Sequence, residues 1–178
     1  MAKQTIGARR TNPTTEERMT DGWNEFFVAT AGAAAALAGL IIVAMSVNIA
    51  KIIAIPSMPA RAAATISSLV LIVVVGVAGL IPGQPASVLG VETLVLSAIA
   101  LGFAIDAAGR ILREGYGRRS TRIVKALVPV LQMVPFVLGG VMLVVGSSAG
   151  LYAVAAGFIL VFMGSVVSAW VLLVEILR

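Results

Sequence analysis

Five runs of nearly uninterrupted apolar residues dominate the chain, at about 26–48, 62–81, 88–108, 124–145 and 151–177. Each has about the twenty residues that a helix, rising 1.5 Å per residue, needs to cross a hydrocarbon core of ~30 Å. The runs are apolar on every face, whereas strands of a membrane barrel alternate apolar and polar positions, so helices are predicted. The breaks between runs are short: Pro56 and Pro59, then Pro82-Gly83-Gln84-Pro85, then Gly115-Tyr116-Gly117, then Gly146-Ser147-Ser148-Ala149-Gly150. Turn residues of this kind join neighbouring helices and leave no room for a soluble domain. The third helix is expected to run on past its apolar run, because Asp106, Arg110 and Glu114 recur at i, i+4 with alternating sign. The expected architecture is an all-α, polytopic transmembrane bundle of five spans over residues 22–178. Residues 1–21 are polar, contain Asn12-Pro13 and have no hydrophobic period, so they read as a flexible tail. Because the first apolar run begins late and is long enough to span, it is expected to act as its own insertion signal and not as a cleaved peptide. Trp23 stands where an aromatic suits the headgroup boundary, and Asp21 where a helix cap would fall.

Composition strengthens this picture. Of the 178 residues 60% are hydrophobic and 12% charged, too few charges to clothe a water-soluble surface. The net charge is +5, yet the basic residues have no soluble domain or aromatic platform with which to hold nucleic acid, so membrane topology accounts for them instead. With the N-terminus outside, nine of the 13 Lys and Arg residues fall on the cytoplasmic side, from Lys51 and Arg61 through the loop Arg110–Lys125 to Arg178. The remaining four, Lys3, Arg9, Arg10 and Arg18, lie in the tail and oppose that orientation. An N-out, C-in arrangement is therefore expected. The chain has no Cys and no His, which removes disulfides, thiolate and imidazole metal sites and the commonest general base. No cofactor and no enzymatic activity are expected.

Ionisable residues inside a span are costly and are candidates for function. Glu92 and Asp106, both on the third span, are fourteen positions apart, which brings them within about 40° of one helix face and about 21 Å apart along the axis. With Gln132 they could mark a polar path for a cation or proton. The plainer reading is that Glu92 is near a helix end and that Asp106 pairs with Arg110 one turn away. Gln132 lies between Pro129 and Pro135, which can kink the fourth span, and Gly139-Gly140 follows. Interrupted helices often line transporter sites, although a packing kink and an amide bonding across helices, like that of Asn48, explain the residues equally. Small residues at heptad spacing form seams for close helix approach, Gly32 and Gly39 in the first span and Gly150, Gly157 and Gly164 in the fifth. They point to contacts within one copy or between copies. Arg113, Arg118, Arg119 and Arg122 could hold anionic lipid headgroups, or simply retain their loop in the cytoplasm. The glycines of that loop fit neither phosphate-loop pattern.

The stretches Trp23-Asn24-Glu25-Phe26-Phe27-Val28-Ala29 and Gly39-Leu40-Ile41-Ile42-Val43-Ala44-Met45-Ser46-Val47-Asn48 resemble the opening of a group of small, uncharacterised bacterial polytopic membrane proteins. Some of these are described as modulators of a membrane-bound protease. The resemblance covers mainly the first span and carries no catalytic motif. It implies a bacterial inner-membrane location and a regulatory role. The function expected is that of a non-enzymatic component, immersed in the bilayer and assembled as a homo-oligomer or in a larger complex, with a small channel or transporter using Glu92 and Asp106 as the alternative.

Overall fold

A computed structural model of the chain describes residues 22–54, 56–113 and 119–177. The tail 1–21, the Gly115-Tyr116-Gly117 break and Arg118 lie outside the described residues. These residues form α1 (Asn24–Val47), α2 (Ile49–Ala54), α3 (Met58–Ala78), α4 (Ala86–Arg113), α5 (Arg119–Leu131), α6 (Val134–Val144) and α7 (Ala149–Leu177), with no strand among them. Five helices are long and apolar enough to cross a membrane: α1, α3, α4, the α5–α6 pair as one span over Arg119–Val144, and α7. A helix satisfies its own backbone hydrogen bonds, which is what a chain in hydrocarbon requires. The protein is thus an all-α, multi-pass membrane protein. Its third span does continue as helix beyond the apolar run, as far as Arg113.

Consecutive spans pack side by side, α1 on α3, α3 on α4, α4 on α5 and α6, and α6 on α7. α7 then returns to α3, closing a ring of four spans, and α1 leans on α3 and α7 from outside. Large apolar side chains such as Leu40, Val47 and Met163 face outward, exposed by 68%, 79% and 64%. Since lipid tails are as apolar as these side chains, burial alone cannot hold the bundle together, and close backbone approach must contribute.

That approach centres on α6. A Cβ on Gly140 would sit 3.0 Å from the Gly90 carbonyl oxygen of α4, and one on Gly139 would sit 2.8 Å from the Gly150 oxygen of α7. Adjacent glycines on α6 therefore let it touch two neighbours by backbone at once. At the same end of the bundle, Phe26 stacks on Phe158 with ring centroids 5.8 Å apart, and Trp23 meets Tyr152 edge-on at 5.0 Å. These aromatics dock α1 on α7. Trp23 occupies the cap position of α1 without a side-chain hydrogen bond, and Asp21 lies outside the described residues.

The turns are tight. Gly83 and Gly146 have φ of 70° and 80°, left-handed values that a Cβ would disfavour, and each reverses the chain after a span. Span four is broken at Gln132 and Met133. Pro135 has no N–H to bond the carbonyl four residues back, and its ring crowds that carbonyl, so the helix restarts with Pro135 in its first turn. Alternation of the spans gathers Arg61, Arg110, Arg113, Arg119, Arg122 and Lys125 at one end of the bundle. Glu25 and Glu92 belong to the other.

Candidate functional site

The break in span four sets the site. Above it, α6 is drawn against α7 by the glycine contacts; below it, α5 follows α4 and only grazes α7. A cavity of about 450 Å³ opens in the fork, walled by α3, α4, α5 and α7. Its α4 wall is Ala100, Ala104, Ala107 and Ile111, which recur at i, i+4, i+7 and i+11 and keep that wall smooth and apolar.

The polar side chains come from the other walls. From α3 come Arg61, Thr65 and Ser68, one helix face at i, i+4 and i+7. The hydroxyls of Thr65 and Ser68 donate to their own helix, to the carbonyls of Arg61 and Ala64, each at 3.0 Å. From α5 come Lys125 and, seven residues deeper, Gln132 at the break. From α7 come Ser165 and Ser168. Ser165 is 3% exposed, and neither its hydroxyl nor the Gln132 carboxamide forms a hydrogen bond with a described residue. In low dielectric such groups are costly unless water or a ligand bonds them. No carboxylate and no aromatic ring is among the described lining residues. The cavity offers positive charge and hydrogen-bond donors to whatever enters it.

Of the residues singled out in the sequence, Gln132 and Gly164 belong to this cavity. A side chain on Gly164 would collide with the Gln132 carboxamide, so this glycine makes room for a polar group. Gly150 and Gly157 pack against span four, a Cβ on Gly157 falling 2.7 Å from the Phe136 ring. Gly32 and Gly39 have open space before them. Glu92 accepts a hydrogen bond from Gln84 Nε2 at 2.7 Å beside the turn between spans two and three. Asp106 bonds Arg110 Nε at 2.9 Å on the outer surface, both side chains 55% exposed. The structure does not bring Glu92, Asp106 and Gln132 to one cavity. Arg113 and Arg119 are exposed, while Arg122 is half-buried and reaches the Leu112 carbonyl at 3.5 Å.

Arg61, Thr65, Ser68, Lys125, Ser165 and Ser168 were not singled out by sequence reasoning. The available signal was one face of α3, on which Arg61, Thr65 and Ser68 recur at helical spacing. The described residues hold no cluster of three or more potential metal ligands. No family model, curated protein or solved structure matches the chain.

Proposed function

We propose that this protein is a non-enzymatic accessory component of a bacterial inner membrane that works by holding a ligand in the cavity between α3, α4, α5 and α7. The observation that carries this reading is the cavity's lining, which joins the Lys125 ammonium, the Gln132 carboxamide and serine hydroxyls within a membrane-spanning bundle. Concave sites of ~300–1,000 Å³ with a few convergent polar groups are where small molecules bind. The described lining holds no carboxylate and the chain no histidine, the commonest acids and bases of catalysis, which supports binding over catalysis. A regulatory role accords with the resemblance of the first span to proteins described as protease modulators. We place the basic end in the cytoplasm, N-out and C-in. Assembly with a second copy or a larger partner is supported by α1, whose Gly32, Ala36 and Gly39 are exposed and whose glycines have room for close approach.

The channel reading needs a path from the cavity to the other end of the bundle. There the backbones of α4, α6 and α7 meet at Gly90, Gly140, Gly139 and Gly150, and neither Glu92 nor Asp106 lines the cavity. Purification in mild detergent followed by native mass measurement tests the proposal. A retained small molecule on an assembly of chains is the expected result, and a ligand-free lone monomer contradicts it. In liposomes, ion flux should equal that of empty vesicles; flux abolished by Glu92→Gln or Asp106→Asn would establish the channel instead.

A further inference from the structure

We infer that the cavity binds the phosphate-bearing headgroup of an anionic membrane lipid, whose acyl chains leave between α5 and α7 into the bilayer. The inference rests on reading the cavity as a ligand site and names the chemistry of the ligand.

Access is the first ground. Val124 and Val128 on α5 and Leu160, Met163 and Val167 on α7 line the cavity and are exposed, each by 42% or more. The cavity therefore opens sideways between these helices, at a depth where lipid lies, and its rim is apolar. A water-soluble ion has no use for such a rim, while an acyl chain fits it. Size agrees: about 450 Å³ falls within the ~300–1,000 Å³ of small-molecule sites. That suits a phosphate with its glycerol and ester groups, while the chains remain outside.

Chemistry is the second ground. Lys125 is a donor without acceptor capacity, and it stands within about two turns of the basic end of α5, near headgroup depth. Gln132 lies seven residues beyond Lys125, about 10 Å deeper, with Ser165 beside it on α7 at the Gly164 turn. A diacyl phospholipid presents its acceptors in the same order, phosphate oxygens outermost and ester carbonyls deeper. A headgroup ending in a quaternary ammonium would ask for a carboxylate or an aromatic cage, and the described lining has neither. Net negative lipids are thus preferred over zwitterionic ones.

The test is native mass spectrometry of the full chain extracted from vesicles of equal phosphatidylglycerol and phosphatidylcholine, beside a titration with inorganic phosphate. Retention of a single phosphatidylglycerol is expected. It should fall about fivefold in Lys125→Gln, the effect of one basic residue at the membrane surface. It should also fall in Gln132→Leu, which changes no charge, and stay unchanged in Arg110→Gln, which lies outside the cavity. Lys125 is exposed, so its variant keeps the fold, as circular dichroism would verify. Equal retention of the two lipids, or retention of phosphate without lipid, overturns the lipid assignment and leaves a ligand site standing. Retention of nothing by the folded chain overturns both.

Discussion

Replacing Gly90 with alanine places a methyl 2.8 Å from the Gly140 carbonyl oxygen, 2.8 Å from the Val144 nitrogen and 2.9 Å from the Leu143 Cβ. Carbon contacts are most favourable near 3.5–4.0 Å, so α4 and α6 must part by roughly 0.6–1.2 Å. Two of the three obstacles are backbone and cannot swing aside. Separation on that scale forfeits about a quarter to a half of each atomic contact along the interface, and overpacking of this kind costs about 1–3 kcal/mol. Gly102, on the same helix, is the control: a Cβ there meets nothing within 4 Å. Both substitutions change helix propensity alike, by up to ~1 kcal/mol in favour of alanine, so their difference isolates the clash. In detergent, unfolding followed by circular dichroism should put Gly90→Ala below Gly102→Ala by about 1–3 kcal/mol. Equal stability of the two, or a more stable Gly90→Ala, would refute the claim that α4 and α6 meet backbone to backbone at this point.

Two further outcomes follow from the same packing. Phe27 is 1% exposed and lies against Gly79, Trp23 and Phe158, so Phe27→Ala should cost about 3–5 kcal/mol and release α1 from the bundle, which a crosslinking loss between α1 and α3 would report. Asp106→Asn removes only an exposed i,i+4 pair and should change stability by about 0.5 kcal/mol or less in the same unfolding experiment.

The spans could be read directly because hydrocarbon imposes a length and an apolar composition that leave few alternatives. The Asp106–Arg110 pair could be read because it is local to one helix. Facing was harder. Heptad spacing marks Gly32 and Gly39 as readily as Gly150 and Gly157, yet only the second pair touches a neighbour in this chain, since spacing gives a stripe and not its direction. Gly90 and Gly140, which do bring backbones together, have no second glycine seven positions away in the same span. The cavity was legible only at Gln132, between its two prolines, and at Gly164, a seam glycine. Thr65, Ser68 and Ser165 look like ordinary small residues of membrane helices, and they acquire meaning from a juxtaposition across spans nearly a hundred positions apart that no local pattern encodes. Glu92 and Asp106 drew notice as charges in a span, but a helix 28 residues long carries both of them to positions where local partners suffice.

The account depends on the fork between α5 and α7 being open to water and lipid. The chain has no Cys, so single-cysteine variants report position without background. In sealed vesicles, the Ser165→Cys variant should react with a small charged thiol reagent added at the basic end, and an added anionic lipid should slow that reaction. The Ala34→Cys variant, at a site 0% exposed on the packed face of α1, should stay unreactive under the same conditions. If the two variants react alike, or if Ser165→Cys is inert with and without lipid, there is no open cavity at the heart of this protein.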